Sequence, residues 1–172
     1  MSSLRSQQRT PRLVLSPYEP GDAEPLFAIM SDPVAMQHTY TAPSLQQCAN
    51  RLAAFEEKRS SLGFAPWVVR LNAIGNVVGW GGLNVDPEDP AWGVEVSYAL
   101  TPSVWGCGYA TELVRHSLAH ASNALSIAQV QAFARPENAA SIRVLAKCGF
   151  SYKCYVPSLE RNQYCFKVEN AA

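Results

Sequence analysis

The clearest pattern of apolar and polar positions in this chain lies between residues 94 and 125. Residues 94–100 alternate like a half-buried strand, and the run stops at Thr101-Pro102. From residue 110 to 124 the spacing becomes helical. The apolar stripe consists of Leu113, Val114, Leu118, Ala121 and Leu125. Between the two elements stands the glycine-bearing segment WGCGYA, residues 105–110, so the pattern predicts a strand, a glycine turn and a helix in direct succession.

Further elements are predicted on both sides of this unit. Asp22 is suited to cap a first helix, and Ser44 opens a second with a capping-box sequence. The predicted strands span 12–15, 67–71, 77–85, 129–134, 152–156 and 163–168, and the predicted helices span 23–30, 45–59 and 138 or 139 to 147. This mixed order predicts an α/β (α+β) three-layer domain with a partly antiparallel sheet.

Length and charge fit a single globular domain. A chain of 172 residues can bury roughly 70% of its unfolded surface, and it contains no repeat or low-complexity tract. We therefore expect one domain over residues 1–172, with residues 1–9 as a flexible leader. The 14 basic and 14 acidic residues cancel, which argues against a broad nucleic-acid surface but not against a local patch.

The cysteines and the N-terminus indicate the compartment. The cysteines are Cys48, Cys107, Cys148, Cys154 and Cys165, an odd number without C-x-x-C spacing. The first twelve residues are polar and lack the apolar centre of a signal peptide, and no run approaches the roughly 18 apolar residues of a membrane helix. We predict free thiols, a cytoplasmic location and no membrane partner.

The glycine turn after residue 100 has a geometry suited to phosphate. Glycines permit close approach of the backbone, consecutive N–H groups point outward, and the helix N-terminus adds partial positive charge. A tight strand-to-helix connection also needs glycine for its own geometry, so the turn alone is weak support for a phosphate site.

A second segment strengthens that interpretation. Residues 136–150, PENAASIRVLAKCGF, combine a helix start, a short helix and a glycine stop. Together the two segments resemble the acetyl-CoA-binding motifs of the GNAT superfamily of N-acetyltransferases. The first resembles the pyrophosphate loop of that superfamily, and the second its asparagine-containing helix that ends in Gly-Phe.

The N-terminal part of the chain resembles one branch of that superfamily. The segments TPRLVL (10–15), DAE (22–24) and SDP (31–33) are similar to the RimJ/RimL-like enzymes, which act on ribosomal-protein N-termini. The resemblance covers nearly the whole chain in the expected order. It implies a three-layer domain in which a mixed, mostly antiparallel, twisted sheet carries helices on both faces.

The resemblance also implies acetyl-CoA as co-substrate, and no metal is expected. The pantetheine arm would lie between strands 94–100 and 129–134, and the pyrophosphate would rest on the glycine turn, where Trp105 replaces the usual Gln or Arg. Asn138 and Ser141 would contact the arm, although Asn138 is also a good helix cap and Ser141 could simply be solvated. The implied cofactor-binding residues are Tyr98, Leu100, Trp105, Gly106, Cys107, Gly108, Tyr109, Ala110, Thr111, Asn138 and Ser141.

Two residues are predicted to be catalytic. Glu95 is the candidate base, since it shares a strand face with Ser97 beside the cofactor, although an edge-facing or ion-paired glutamate would fit as well. Many superfamily members place a tyrosine general acid where this chain has Leu145. We expect Ser141 or water to take that role, or the thiolate to leave unaided, because a thiol of pKa near 8.5 is a fair leaving group.

Other conspicuous side chains have more ordinary interpretations. His116 and His120 have metal-ligand spacing but no evident third ligand, so we expect two solvated histidines on the polar side of the helix. Cys107 is expected to be a backbone-contact position and not a nucleophile. Substrate-pocket candidates are Trp67, Trp80 and Tyr40, with sheet-core packing as the alternative for the two tryptophans.

These observations predict a cytoplasmic acetyl-CoA-dependent N-acetyltransferase that uses direct attack in a ternary complex. The resemblance to the RimJ/RimL-like branch implies a protein or peptide N-terminal α-amine as the acceptor. Such an amine has a pKa near 8, so roughly a tenth of it is neutral at pH 7, which makes little demand on a base. The alternatives are an enzyme for small molecules (amino acids, amines or antibiotics) and a non-catalytic acyl-CoA-binding domain. No direct nucleic-acid partner is expected, and a homodimer is left open.

Overall fold

The computed structural model describes residues 7–168 of the chain. Within that range eight strands and four α-helices follow one another. They are β1 (Gln8–Arg9), β2 (Leu13–Ser16), α1 (Ala23–Met30), α2 (Leu45–Leu62), β3 (Trp67–Leu71), β4 (Val77–Asn84), β5 (Glu95–Leu100), α3 (Tyr109–Leu125), β6 (Gln129–Ala134), α4 (Ala139–Lys147), β7 (Ser151–Val156) and β8 (Arg161–Lys167). Every predicted helix and strand is present, with small shifts at the ends.

The strand β1 was not predicted, because its two polar residues carry no apolar pattern. Gln8 and Arg9 pair with Leu15 and Val14 of β2, so these two positions belong to the sheet and not to a flexible leader. The first six residues of the predicted leader lie outside the described residues.

All the strands form one sheet in the order β1-β2-β3-β4-β5-β6-β8-β7. Every neighbouring pair is antiparallel except β5 and β6, which run parallel. The sheet is therefore mixed and mostly antiparallel, as predicted.

The helices cover both faces of this sheet. On one face, Leu26 of α1 and Leu52 and Phe55 of α2 pack against Val68 and Trp80. On the other, α3 and α4 cover side chains of β2 to β6, with Leu113, Val114 and Leu145 buried there. We call these the α1/α2 face and the α3/α4 face. Both tryptophans named as pocket candidates, Trp67 and Trp80, are core residues, as the alternative interpretation held.

The predicted N-cap positions of α1 and α2 are both confirmed, but only the cap of α2 uses its side chain. The Ser44 hydroxyl accepts the amide of Gln47 at 3.2 Å, as predicted. Asp22 occupies the N-cap position of α1, yet its side chain makes no capping hydrogen bond there. Its carboxylate instead forms an ion pair with Arg70 of β3 and accepts the amide of Glu19 at 3.1 Å.

The expected solvation of the two histidines of α3 was wrong. His116 and His120 are half-buried, and each packs edge-to-face on Trp67 with ring centroids 5.6 Å apart. Burial lowers the pKa of both imidazoles. They are therefore packing residues of the α3/α4 face.

Strands β5 and β6 separate soon after they begin. Glu95 lies opposite Gln131, and the amide of Gln131 donates to the carbonyl of Val94 at 2.8 Å, but the strands pair at no later position. A gap therefore opens between their carboxyl-terminal halves and leads into the functional site. None of the described helices is both long and apolar enough to cross a bilayer.

Candidate functional site

A cleft of about 550 Å³ occupies the gap between β5 and β6. One end is formed by the glycine turn, the first turn of α3 and the start of α4, all on the α3/α4 face. The other end is lined by residues 35 and 37–39 and by Arg161. The cleft thus joins the two faces of the sheet through a break in its hydrogen bonding.

Almost all the predicted cofactor-binding residues line this cleft. They are Tyr98, Leu100, Trp105, Gly106, Gly108, Tyr109, Ala110, Thr111, Asn138 and Ser141. Cys107 does not line it, and Glu95 lies just outside it, two residues before Ser97, which does line it. The fold therefore brings together two segments that are about thirty residues apart in the sequence.

The glycine turn presents unpaired backbone donors to the cleft. Gly106 and Gly108 have φ angles of 76° and 82°, in the left-handed region that favours glycine. Within residues 7–168 no side chain caps α3, and Glu112, whose amide donates to the Gly108 carbonyl at 3.0 Å, makes the first helical hydrogen bond. The N–H groups of the preceding turn are thus free to bind an anion, and the helix dipole favours one there.

Arg12, the residue before β2, holds this turn in place. Its Nη1 donates to the Cys107 carbonyl at 2.8 Å, its Nε pairs with Glu112 Oε2 at 2.7 Å, and its guanidinium lies 4.6 Å over the Tyr109 ring. Burial alone would raise the pKa of Glu112, but hydrogen bonds from Thr10 and Arg12 hold it below its usual range. Sequence reasoning missed Arg12, because about a hundred residues separate it from Glu112.

Basic side chains surround the outer side of the same turn. A second cavity, of about 710 Å³, touches Gly108 and Thr111. Its cations are Arg9, Arg12, Arg115 and Lys147. The zero net charge of the chain therefore conceals a local basic patch beside the free N–H groups.

Trp105 has a structural role that its exposure does not suggest. The residue is 45% exposed, yet its indole Nε1 donates to the backbone carbonyl of Leu100 at 2.9 Å. Its one polar atom is therefore directed at the end of β5 and not at the glycine turn. The backbone carbonyl of Leu100 therefore already accepts one hydrogen bond from the protein itself.

Asn138 serves as the helix cap that the local interpretation predicted. Its Oδ1 accepts the amide of Ser141 at 3.1 Å, and its carbonyl accepts the amide of Ile142 at 3.1 Å. Both Asn138 and Ser141 nevertheless line the cleft, so capping and ligand contact are compatible. Leu145, at the position where the resemblance leads one to seek a tyrosine, is 2% exposed and packs in the core.

Tyr98 brings an unsatisfied hydroxyl to the same wall. Its side chain lies on the α3/α4 face, opposite Gly81, whose missing side chain leaves room for it: a Cβ there would lie 2.7 Å from the Tyr98 Cβ. Burial raises the pKa of Tyr98 to about 12, with Cys148 adding to the effect and the nearby Ser141 hydroxyl opposing it. The Ser141 hydroxyl lies beside the buried Tyr98 oxygen, but no described residue meets strict hydrogen-bonding distance and angle with that oxygen.

Glu95 lies on the opposite side of β5 from Tyr98. It pairs with Asn84 of β4 and shares the α1/α2 face with Ser97, whose hydroxyl accepts the Asn84 amide at 2.7 Å. Burial, reinforced by Asp86, raises the pKa of Glu95 to about 7, while Arg161 and Arg51 act in the other direction. A carboxyl group of that pKa changes its protonation near neutral pH.

The far end of the cleft comes from residues without a sequence motif. The loop after α1 supplies Gln37, His38 and Thr39, and β8 begins there with Arg161. Tyr40, the third pocket candidate, is 50% exposed and lies 5.6 Å from the Arg51 guanidinium, outside the lining of the cleft. Across residues 7–168, no group of three or more His, Cys, Asp and Glu side chains is placed to hold a metal ion, and all five cysteines are free.

Comparison with known families gives a match over most of the chain. The model of the acetyltransferase (GNAT) domain matches residues 12–151. The Bacillus subtilis (strain 168) protein YkkB is 26% identical over 144 residues, covering 83% of this chain and 84% of that protein. The uncharacterized N-acetyltransferase YoaA of the same organism is 25% identical over 147 residues, covering 82% of this chain and 80% of YoaA.

Solved structures show the same fold. An acetyltransferase from Agrobacterium tumefaciens strain C58 superposes with a TM-score of 0.81 at 22% identity, covering 94% of each chain. RimL, a ribosomal L7/L12 α-N-protein acetyltransferase in complex with coenzyme A, superposes with a TM-score of 0.78 at 15% identity, covering 95% of this chain and 98% of RimL.

Proposed function

Because the chain belongs to the GNAT acetyltransferase family, we propose that it transfers the acetyl group of acetyl-CoA to the α-amine at the N-terminus of a protein or peptide. The observation that carries the proposal is the course of the cleft. It begins at an uncapped helix N-terminus suited to phosphate and passes between two parted strands to the opposite face. Cofactor and acceptor can therefore approach from opposite faces and meet within the sheet.

The cofactor would bind along the α3/α4 face. The N–H groups of residues 106–111 would hold its pyrophosphate, with the basic patch around Arg115 and Lys147 adding positive charge. The backbone of Tyr98 to Leu100 would pair with the pantetheine arm like an added strand. Trp105 contributes by fixing the Leu100 carbonyl, and Asn138 by setting the start of α4.

Glu95 is proposed as the base that accepts the proton of the acceptor ammonium. It lies on the α1/α2 face, and a pKa of about 7 leaves a useful ionised fraction at neutral pH. Because Glu95 does not line the cleft, the proton would pass through water. The Ser97 hydroxyl and the buried Asn84 Oδ1, which has no partner among the described residues, lie on the same face and are suited to hold that water.

Ser141 is proposed to stabilise the leaving thiolate. Its hydroxyl would donate to the sulphur, and the unpartnered Tyr98 hydroxyl beside it would donate to Ser141 in turn. Full proton transfer from Tyr98 would be unfavourable, since its pKa of about 12 lies well above roughly 8.5 for a thiol. Hydrogen bonding to the developing charge is therefore the role that fits.

The arrangement favours direct attack by the amine in a ternary complex. Cys107, the thiol in the glycine turn, does not line the cleft, so no covalent enzyme intermediate is proposed. An N-terminal α-amine suits a base of pKa about 7, since its own pKa is only near 8, whereas lysine is near 10.4. The structural neighbours include both RimL and the aminoglycoside acetyltransferase AAC(6')-Ib, at 15% and 18% identity, which show the fold alone.

A panel of amines tests the proposal, with CoA release as the readout. Peptides with a free N-terminus are compared with the same peptides carrying a formyl-blocked N-terminus and an internal lysine, and with small amines and aminoglycosides. Turnover confined to free N-termini is expected. Turnover confined to small amines would contradict the peptide acceptor, and cofactor binding without turnover on any amine would indicate a non-catalytic acyl-CoA-binding domain.

A further inference from the structure

Arg161, the first residue of β8, places a guanidinium at the α1/α2 end of the cleft. The sheet register fixes its side. Glu95 of β5 pairs with Gln131 of β6, and Gln131 pairs in turn with Cys165 of β8. Arg161 precedes Cys165 by four residues on the same strand, so the side chains of Glu95, Cys165 and Arg161 share one face of the sheet. The cation therefore lies on the same side of the sheet as the proposed base.

The Arg161 guanidinium lacks an anionic partner. Its one hydrogen bond among the described residues runs from Nη2 to Thr39 Oγ1 at 3.4 Å, near the outer limit for such a bond. No carboxylate in the described part of the chain lies within 4.0 Å of it. Burial and Arg135 lower its pKa, and only the more distant Glu95 and Asp86 oppose this. Most N–H donors of this half-buried guanidinium therefore have no protein acceptor among the described residues and are open to a ligand.

The neighbouring cation at this end is already neutralised. Arg135 Nη1 lies 3.7 Å from Glu137 Oε1, and Arg135 Nη2 lies 3.3 Å from Glu160 Oε2. Two other basic residues of the lining, Arg143 and Lys147, stand on α4, the helix that covers the α3/α4 face. Among the described residues that line the acceptor end, which also include His38, Arg161 is therefore the guanidinium without a carboxylate partner.

We propose that Arg161 binds a carboxylate of the acceptor, carried close to the amine that is acetylated. The proposal rests on the N-acetyltransferase function above and refines it. A guanidinium matches a carboxylate with two parallel hydrogen bonds, and partial burial strengthens the pairing. The carboxylate can be the α-carboxylate of a free amino acid or an acidic side chain near a peptide N-terminus.

The test compares acceptors in pairs that differ only in carboxylate against carboxamide. One set pairs amino acids with their amides, and a second pairs peptides carrying Asp or Glu at the second position with the same peptides carrying Asn or Gln. Two readouts are taken: kcat/KM from CoA release, and Kd from calorimetry on the complex of the protein with CoA. In one of the two sets we expect the carboxylate acceptor to have a kcat/KM about 10- to 100-fold higher, and a Kd lower by the same factor, than its carboxamide partner. The set that shows this preference identifies whether the carboxylate belongs to a free amino acid or to an acidic side chain of a peptide.

Variants of Arg161 assign the effect to this side chain. Arg161→Gln should abolish the preference, Arg161→Lys should retain part of it, and Arg161→Glu should reverse it. Arg135→Gln is the matched control, since it removes a positive charge at the same end that is already paired, and it should keep the preference. Affinity for acetyl-CoA confirms in each case that the fold is intact.

The outcomes separate this proposal from the function on which it rests. Equal kcat/KM and equal Kd within every pair would overturn the carboxylate site and leave acetyl transfer standing. A preference that survives in Arg161→Gln would overturn the assignment to Arg161. A binding preference that depends on Arg161, without turnover of any acceptor, would uphold the site and contradict the transferase function.

Discussion

The indole nitrogen of Trp105 donates a hydrogen bond to the backbone carbonyl of Leu100 at 2.9 Å. This contact ties the entrance of the glycine turn to the last residue of β5. In Trp105→Phe the turn loses that constraint, and a typical hydrogen bond contributes about 0.5–1.5 kcal/mol. We expect the Kd for acetyl-CoA to rise about two- to tenfold, measured by calorimetry. In the control Trp92→Phe, which removes the indole bond to Asp89, that Kd should stay near wild type.

A side chain at Gly108 should strain the turn that is proposed to hold the pyrophosphate. Its φ of 82° is one that β-branched residues rarely adopt, and a Cβ would also lie 3.4 Å from Arg12 Nη2. We expect Gly108→Val to weaken acetyl-CoA binding at least about tenfold. Gly75→Val is the control, because Gly75 in the β3–β4 turn also has a positive φ, 71°, and a Cβ there would meet no other atom. This variant should lose stability but bind acetyl-CoA with unchanged affinity. Unchanged affinity in Gly108→Val would move the cofactor site elsewhere.

Loss of Glu95 should impair proton transfer without affecting cofactor binding. We expect Glu95→Gln to lower kcat/KM by about 10²- to 10⁴-fold, the usual range for a general base. In the wild type, kcat/KM should rise with pH through about 7, where Glu95 ionises. In Glu95→Gln the rise of kcat/KM near pH 7 should disappear. The difference in kcat/KM between variant and wild type should shrink at higher pH, because the acceptor amine then deprotonates without a base. A defect of the same size at every pH would instead indicate a positioning role, and activity within about twofold of wild type would exclude Glu95 as the base.

The same substitution should stabilise the fold at alkaline pH. The pKa of Glu95 rises from 4.5 to about 7 on folding, so as the pH rises through that interval the unfolded chain ionises first and the folded protein loses stability. Gln carries no such penalty. Urea unfolding should show Glu95→Gln gaining stability over wild type at about pH 8 and much less at about pH 4.5. Glu24→Gln, at an exposed position of α1, controls for the change in net charge.

Ser141 and Tyr98 should act as one hydrogen-bonded chain toward the leaving thiolate. We expect Ser141→Ala to lower kcat about 10- to 100-fold with acetyl-CoA affinity retained, since a hydrogen bond to a charged group is worth about 1.5–3 kcal/mol. Tyr98→Phe should lower kcat less, and the double variant should match Ser141→Ala alone.

Stability distinguishes this role of Tyr98 from a structural one. Removing a buried hydroxyl that has no partner should leave the Tm unchanged or raise it. A lowered Tm in Tyr98→Phe together with normal kcat would show that the hydroxyl serves packing and not catalysis. Additive losses in the double variant would show that the two hydroxyls act independently.

Some of the site could be predicted from the sequence because its determinants are local. The alternation over residues 94–100 and the apolar stripe from Leu113 to Leu125 define a strand and a helix by period alone. Gly106 and Gly108 adopt positive φ because only glycine does so without strain, and Asn138 caps α4 within a span of three residues. The glycine turn that can accept an anion and the capped start of α4 were therefore predictable, because each depends on residues that are close together in the sequence.

Other features depended on which strands lie side by side. Arg12 reaches Glu112 only because the start of β2 lies beside α3. His116 and His120 are half-buried because α3 packs over Trp67 of β3. Arg161 joins the face of Glu95 because β8 follows β6 in the sheet, and no pattern within residues 155–163 encodes that order. The sequence by itself determined the elements, their caps and the glycine turn, since hydrophobic period and backbone preference act over a few residues. Only the tertiary structure decided the burial and pKa of Glu95, the unpartnered Tyr98 hydroxyl and the position of Arg161, since desolvation and charge proximity depend on contacts between distant segments.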